Sequence, residues 1–228
     1  MPNNTMQWTG ERVLPMNQQH DVRDLAAHSS RYIWAMRFCV HKNVLDVACG
    51  EGYGTWILSW AADYASGVDI NKEAVEWANQ CYRGMPGSRV KYFVMDAENL
   101  YWSPESVDVI VSFETIEHLV HPEALVRSVY KLLKPGGLFI CSAPWNSGSV
   151  FHVKDYTKEE LQALVSTQFS TMEYFVQDVG REMEIRQGEE PTSEHPTHIF
   201  VCIKGYALTV SSLSVQLGGL YIVHIAML

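Results

Sequence analysis

Short apolar runs alternate with amphipathic stretches along most of this 228-residue chain. The apolar runs meet glycines or turn residues and are rich in β-branched side chains, which predicts buried strands. They lie at 44–48, 64–70, 90–95, 107–113, 137–142, 170–178 and 198–204. Apolar positions at helical spacing predict helices at 21–40, 55–62, 72–82, 122–133 and 157–166. Buried strands that alternate with helices predict an α/β fold with a mostly parallel sheet and helices on both of its faces.

Local signals mark two helix starts and one long connection. Pro122 stands at the first position of its predicted helix, where a backbone N–H is not needed. Thr157 and Glu160 have the spacing of a capping box. The polar segment 180–196 is rich in Glu and Pro and predicts a long hairpin or a lid.

The chain divides into an N-terminal segment (1–20), a main domain (21–205) and an apolar C-terminal extension (206–228). The N-terminal residues have no apolar core and do not predict a signal peptide. The extension contains no Lys, Arg, Asp or Glu and is as long as a membrane-spanning helix of about 20 residues. Because Ser, Gly, Gln and His dilute it, we expect a packed segment or a homo-oligomer contact rather than a stable membrane span.

The amino-acid composition bears on which partners the protein can bind and on where in the cell it is expected. The chain is 47% apolar and 19% charged, which is typical of a globular domain. A net charge of -9 disfavours nucleic acid, whose phosphates an acidic surface repels. None of the five cysteines forms a C-x-x-C pair, so we expect buried free thiols and a cytoplasmic location.

The strongest chemical signal is a glycine-rich turn after the first strand. Gly50, Gly52 and Gly54 follow that strand and open a helix, where backbone N–H groups can approach a ligand. The dinucleotide fingerprint G-x-G-x-x-G would require glycine at the position of Thr55. The G-x-G-x-G spacing therefore favours another nucleotide-like cofactor over NAD.

Three successive strands end near an aspartate. Asp46 stands in the first of them, and Asp69 can accept from ribose hydroxyls, with Ile70 offering an apolar face to a purine. Asp96 can accept from an exocyclic amine, and the N–H of Ala97 can reach a ring nitrogen. The alternative is that each aspartate only caps the following helix. The combination with the glycines favours a ligand site at the carboxyl ends of the strands.

These motifs together resemble the class I methyltransferases that use S-adenosyl-L-methionine (SAM). The resemblance covers roughly residues 20 to 205. It rests on V-L-D-V-A-C-G-E-G-Y-G (44–54), G-V-D-I (67–70), V-M-D-A-E-N-L (94–100), V-D-V-I-V-S-F-E-T-I-E-H-L (107–119) and L-L-K-P-G-G-L-F-I (132–140). T-G-E-R-V (9–13) and H-V-K-D-Y-T-K-E-E-L (152–161) look like a subgroup found in bacterial saccharide and cell-surface biosynthesis. The implied fold is a Rossmann-like, mostly parallel seven-stranded sheet whose last strand is antiparallel.

The resemblance also implies cofactor-binding positions. The glycine turn and Asp46 would hold the methionine part, Phe113 would lie beside the transferred methyl group, and Arg31 and Tyr32 would close over the cofactor. The full implied set is Arg31, Tyr32, Asp46, Ala48, Gly50, Gly52, Gly54, Asp69, Ile70, Asp96, Ala97 and Phe113.

A hydroxyl acceptor would gain from a general base with a pKa near 7, which makes histidine the first candidate. His118, after the fourth strand, is the leading candidate, with a structural role as the alternative. His152 and Glu114 are the other candidates for the base. His195 and His198 lack a regular ligand spacing, so no metal is expected.

The predicted function is methyl transfer from SAM to oxygen or nitrogen of a small molecule, with sugars and sugar nucleotides among the candidates. The place after strand four reads Ser112-Phe113-Glu114-Thr115, which lacks the motifs of DNA-base methyltransferases. A second hypothesis is a protein that binds SAM without turnover and serves a partner. A third, an NAD-dependent oxidoreductase, is opposed by the glycine spacing.

Overall fold

A single eight-stranded sheet forms the centre of the described protein. The computed structural model describes residues 22–85, 87–178 and 184–205. The strands are β1 Asn43–Val47, β2 Tyr64–Asp69, β3 Val90–Val94, β4 Val107–Ser112, β5 Leu133–Pro144, β6 Thr171–Asp178, β7 Arg186–Gln187 and β8 Pro196–Ile203. The α-helices are α1 Val22–Ala35, α2 Tyr53–Leu58, α3 Lys72–Tyr82, α4 Pro122–Leu132 and α5 Lys158–Ser166. Short 3₁₀ turns lie at Met36–Phe38, Ala97–Asn99 and Ile116–His118.

The strand order confirms a mostly parallel sheet with an antiparallel last strand. The order is β3-β2-β1-β4-β5-β8-β6-β7. Strands β1 to β5 pair in parallel, whereas β8 inserts antiparallel between β5 and β6. The order reverses between β1 and β4, and in open α/β sheets a crevice for ligands forms at such a point.

The sheet has one strand more than the seven expected. The two-residue β7 pairs antiparallel with Phe175 and Val176 of β6, inside the segment predicted as a hairpin or lid. Two residues are too few for an alternating pattern, so the strand exists through backbone pairing and is invisible in the sequence. Asp178 holds this region in place by accepting hydrogen bonds from the side chains of Arg186, Thr192 and Ser193.

Helices cover both faces of the sheet, as predicted. In β1, Val44 packs into the core beneath α1, α2 and α3, whereas Leu45 and Val47 pack into the core beneath α4 and α5. This alternation follows from the two-residue period of a strand. The five cysteines are free thiols, and all except Cys81 are buried.

Several element boundaries differ from the sequence prediction. Helix α1 gives way after Ala35 to the 3₁₀ turn and does not continue to residue 40. Helix α2 starts at Tyr53, because Gly52 adopts φ 91° and serves as its N-cap. Strand β5 starts at Leu133, where its pairing with β4 is irregular. The predicted capping box of Thr157 and Glu160 is present.

Lys204 lies directly after β8. Its ammonium donates to the carbonyl of Leu133 at 2.8 Å and to Glu105 at 3.1 Å. The predicted segments 1–20 and 206–228 lie outside the described residues.

Among the helices that the structure describes, none has the length and apolar character needed to cross a membrane.

Candidate functional site

A cavity of about 570 Å³ lies beyond the carboxyl ends of β1, β2, β3 and β4. Its volume is in the range of small-molecule sites, and it lies beside the reversal of strand order. Most of the site residues predicted from the sequence line it, and these are Tyr32, Ala48, Gly50, Asp69, Ile70, Asp96, Ala97, Phe113, Glu114, His118 and His152. Arg31, Asp46, Gly52 and Gly54 are not among the lining residues and support the wall from behind.

The turn after β1 presents only one of its three glycines to the cavity. Gly50 has nothing within 4 Å of where a Cβ atom would stand, so its backbone borders open space. A Cβ atom on Gly52 would stand 2.6 Å from Cε1 of Tyr92, and one on Gly54 would stand 2.1 Å from Cζ of Tyr32. Gly52 and Gly54 are therefore required by close packing rather than by exposure to the cavity.

Asp46 is fully buried behind the same turn. It accepts a hydrogen bond from Thr55 Oγ1 at 2.6 Å and a longer one from the Tyr32 hydroxyl at 3.4 Å. Burial raises the pKa of Asp46 to about 7, although the two hydrogen bonds oppose that shift. In this position Asp46 positions Thr55 of the turn and the Tyr32 ring, which itself lines the cavity.

Asp69 and Ile70 stand side by side at the end of β2. Oδ2 of Asp69 accepts from the N–H of Gly50 at 2.9 Å, and Oδ1 accepts from the N–H of Asn71 at 2.8 Å. Asp69 thereby ties the glycine turn to β2 while its side chain borders the cavity. The Ile70 side chain is 68% exposed, which is unusual for an isoleucine and leaves an apolar face open in the cavity.

Asp96 both caps a turn and lines the cavity. Its Oδ1 accepts from the N–H of Glu98 at 2.9 Å and so caps the 3₁₀ turn that begins at Ala97. Asp96 and Ala97 also line the cavity. Capping and lining are therefore compatible at this position.

Glu114 is held rigidly at the end of β4. Its backbone adopts φ 49°, which is uncommon outside glycine and clusters at functional sites. Its N–H donates to Ser142 Oγ at 3.1 Å, and the same hydroxyl donates to Glu114 Oε1 at 2.9 Å. Buried Arg31 approaches Glu114 Oε1 to 3.7 Å and also donates to the Gln177 side chain of β6.

Known proteins provide the decisive comparison. A family model described as a methyltransferase domain matches residues 45–141. A "Probable S-adenosylmethionine-dependent methyltransferase" from Mycolicibacterium smegmatis is 29% identical over 168 residues. This match covers 70% of the chain but only 63% of the relative. Residues 45–141 are therefore similar to the SAM-binding domain of class I methyltransferases.

Two further proteins are similar to this chain. A "Ubiquinone biosynthesis O-methyltransferase" from Pseudomonas putida is 33% identical over 97 residues, 42% of this chain and 41% of the relative. A Thermotoga maritima structure, described as a SAM-dependent methyltransferase and possible histamine N-methyltransferase, superposes with a TM-score of 0.62 at 21% identity. That superposition covers 79% of this chain and 90% of the other, and it supports the fold.

The cavity suits SAM, the cofactor that the names of these relatives give. The carboxylate of Asp69, the open backbone of Gly50 and the uncovered side chain of Ile70 offer a polar, a close-approach and an apolar contact in one space. Bound SAM supplies an electrophilic methyl group on a sulfonium. The remaining requirements on the protein are to orient an acceptor, exclude water and manage a proton.

The other end of the cavity carries two histidines. The rings of His118 and His152 meet edge to face, with their centroids 4.8 Å apart. Nδ1 of His118 donates to the carbonyl of Phe151 at 3.2 Å, and Nδ1 of His152 lies 2.7 Å from Oδ1 of Asp155. Because a carbonyl only accepts, this hydrogen bond requires a proton on Nδ1 of His118.

Sequence reasoning missed Glu117, which lines this end of the cavity and is fully buried. Burial raises the pKa of Glu117 well above its usual range, and the charge of Glu114 acts in the same direction. Its carboxylate and the ring nitrogens of His118 and His152 lie within 4.8 Å of one another. The prediction that no metal site exists did not consider this grouping. The available signal was the spacing of two glutamates and a histidine in Glu114-Thr115-Ile116-Glu117-His118.

His195 and His198 lie outside the cavity and have other partners. Nδ1 of His195 lies 2.5 Å from the carbonyl oxygen of Asn146, and His198 pairs with the Tyr174 hydroxyl at 2.9 Å. Neither lines the cavity.

Proposed function

We propose that this chain transfers the methyl group of SAM to an oxygen or nitrogen of a small-molecule acceptor. The observation that carries the proposal is that one cavity combines nucleotide-type contacts at one end with candidate proton acceptors at the other. A cavity of about 570 Å³ suits a cofactor with a compact acceptor better than a macromolecular substrate.

The proposed cofactor contacts follow the order of the strands. Ala48 and Gly50 bind the methionine part, Asp69 accepts from the ribose, and Ile70 packs on the adenine. Asp96 and Ala97 bind the adenine edge, while Tyr32 and Phe113 border the methyl group. Asp46 and Gly54 act indirectly through their contacts with Tyr32. Gly52 allows close packing against Tyr92, and Arg31 acts through Glu114.

His118 is the proposed general base for a hydroxyl acceptor. Its Nδ1 donates to the Phe151 carbonyl, so Nε2 is the proposed proton acceptor, and its side chain is 25% exposed. Glu114 and His152 line the same cavity and are the other candidates. A base next to the acceptor would accelerate transfer to a hydroxyl by about 10² to 10⁴-fold.

The finer features of the proposal rest on the sequence. The 152–161 segment resembles saccharide and cell-surface biosynthesis methyltransferases, so a sugar or sugar nucleotide is the proposed acceptor class. The name of the Pseudomonas putida relative supports oxygen as the methylated atom. Free buried cysteines support a cytoplasmic location. The extension 206–228 is the proposed contact of a homo-oligomer.

The first test is calorimetric titration of the purified chain with S-adenosylhomocysteine, with NADH as the control ligand. We expect micromolar binding of the first and none of the second. Asp69→Ala should abolish binding, whereas Asp63→Ala, which changes an exposed aspartate outside the cavity, should preserve it. Binding of NADH, or equal affinity of both variants, would contradict the proposed cofactor site.

The second candidate function is a SAM-binding protein that serves a partner without turnover, and the uncharged extension favours it. An acceptor screen that starts with sugar nucleotides separates the two. His118→Ala should remove turnover and spare S-adenosylhomocysteine binding if the chain is an enzyme. Binding with no turnover of any acceptor class would favour the second candidate.

A further inference from the structure

Three potential metal ligands meet at the acceptor end of the cavity. Glu117 and His118 belong to the 3₁₀ turn after β4, and His152 belongs to the loop after β5. One ligand atom of each lies within 4.8 Å of the other two. The chain positions this loop directly, because the N–H groups of Val153 and Lys154 donate to the carbonyl of Glu117 at 2.8 and 3.2 Å.

Glu117 is in an environment that a carboxyl group rarely tolerates. Its side chain is fully buried, and in the described part of the chain neither carboxylate oxygen accepts a hydrogen bond from another residue. Leaving such a buried group unsatisfied is costly, so a partner is expected. Nε2 of the His118 ring lies 3.8 Å from Oε1 of Glu117, which is too far for a hydrogen bond.

Both histidines are oriented as metal ligands are. Metal-binding histidines donate their second ring N–H to a carboxylate or a backbone carbonyl, which fixes the ring. Asp155 takes this position for His152 at 2.7 Å, and the Phe151 carbonyl takes it for His118 at 3.2 Å. In each ring Nδ1 makes this contact, and Nε2 is the proposed coordinating atom.

We propose that Glu117, His118 and His152 bind a divalent first-row transition metal ion of the Zn²⁺ type at the acceptor end of the cavity. Two histidines and one carboxylate leave further positions open, as in catalytic sites of this kind. In a tetrahedral shell with bonds of about 2.1 Å, ligand atoms stand about 3.4 Å apart. The ligand atoms, now up to 4.8 Å apart, must therefore draw together by up to about 1.4 Å through rotation of the side chains.

The role of this ion rests on the proposed function. An acceptor hydroxyl at an open position of the ion would lose its proton more readily, as metal-bound water does. The bond that breaks in this step is O–H, and the proton passes to Glu114, which lines the same cavity. The ion thus favours oxygen over nitrogen as the methylated atom and makes His118 a ligand rather than the general base.

Metal binding is tested on the full chain without any acceptor. The protein is treated with EDTA, returned to metal-free buffer and titrated with ZnCl₂ by calorimetry, with S-adenosylhomocysteine binding measured on each sample. We expect one Zn²⁺ per chain. Glu117→Gln should weaken it at least 10-fold, roughly what loss of a supporting residue costs a metal site. His121→Ala, which removes an exposed histidine outside the cavity, should leave the affinity within about twofold of the original.

Cobalt provides a second readout. The visible absorption of bound Co²⁺ should appear in the original protein and in His121→Ala, and it should be lost or altered in Glu117→Gln and His152→Ala. Glutamine preserves the shape of the buried side chain, and unchanged S-adenosylhomocysteine affinity would show that each variant is folded.

The outcomes separate the metal site from the proposed function. No Zn²⁺ binding, or equal binding by the original protein and Glu117→Gln, overturns the metal site, and intact S-adenosylhomocysteine binding then leaves the proposed function standing. Zn²⁺ binding without S-adenosylhomocysteine binding supports the metal site and contradicts the proposed function. Turnover that survives EDTA would contradict the role of the ion and return His118 to the role of base.

Discussion

At the scale of single residues, two glycines of the turn after β1 have different structural roles. Gly50 and Gly54 belong to one turn, yet the position of a Cβ atom is empty at Gly50 and inside the Tyr32 ring at Gly54. The first glycine leaves space for a ligand, and the second lets helices α1 and α2 approach each other. Substitution with alanine should therefore separate binding from folding.

For Gly54→Ala we expect a loss of about 2–3 kcal/mol in the free energy of unfolding, because the methyl group overlaps Tyr32. For Gly50→Ala we expect a loss of about 1 kcal/mol from its positive φ. S-adenosylhomocysteine affinity should nevertheless fall more strongly in Gly50→Ala. Urea unfolding and calorimetry on both variants provide the measurement. The assignment of roles fails if Gly50→Ala binds normally.

A second prediction at this scale concerns Asp155, which contacts His152 but not the cavity. Burial opposes the shift, but hydrogen bonds from His152 and from Ser147 hold the pKa of Asp155 below its usual range. If His152 is a metal ligand, Asp155→Asn should weaken Zn²⁺ binding about 10-fold. Asp63→Asn is the matched control. Equal Zn²⁺ affinities of the two variants would show that Asp155 does not support a metal ligand.

At the scale of elements, β6 and β8 are joined by more than backbone pairing. His198 of β8 is buried beside Tyr174 of β6, and their side chains hydrogen-bond at 2.9 Å. Burial lowers the pKa of His198 to about 4. The folded protein therefore keeps this histidine neutral at pH values where the unfolded chain protonates it.

The sign of the pH effect follows from that difference. Above about pH 7 both states are neutral at His198 and stability does not depend on it. As the pH falls from 6.5 towards 4 the unfolded state binds the proton first, so stability falls, by about 1–2 kcal/mol at pH 5. Chemical unfolding of His198→Gln should show a weaker pH dependence between 7 and 5 than the original chain. His41→Gln, at an exposed histidine, should retain the original dependence, and a match between the two variants would contradict the assignment.

At the scale of the whole molecule, the described part of the chain ends just after β8. Lys204 links the end of that strand to Leu133 and Glu105. No described residue beyond His152 lines the cavity. Cofactor binding and association are therefore expected to be separable.

A chain that ends at Gly205 should bind S-adenosylhomocysteine within about twofold of the full chain. If residues 206–228 form the proposed homo-oligomer contact, the mass in solution should fall to that of one chain. Light scattering after size exclusion measures this mass. An unchanged mass would show that the contact, if any, lies in the main domain.

The sequence by itself determined the order of elements and the cofactor class. Apolar runs such as Val107–Val111 predict buried strands directly. The glycine turn and the motifs around Asp69 and Asp96 are each short sequence patterns, so they were recognisable without a structure. The antiparallel last strand was implied by the family resemblance. The two-residue β7 and the early start of β5 at Leu133 were not predictable, because backbone pairing between distant segments creates them.

Only the tertiary structure decided which of the predicted residues line the cavity and which lie behind its wall. Asp46 and Gly54 lie behind it, where the first is buried against Thr55 and the second makes room for Tyr32. The structure alone also joined Glu117 with His152, which stands 35 residues later. A sequence records residue types and local periodicity, whereas contacts across such separations depend on how the strands and loops pack in space.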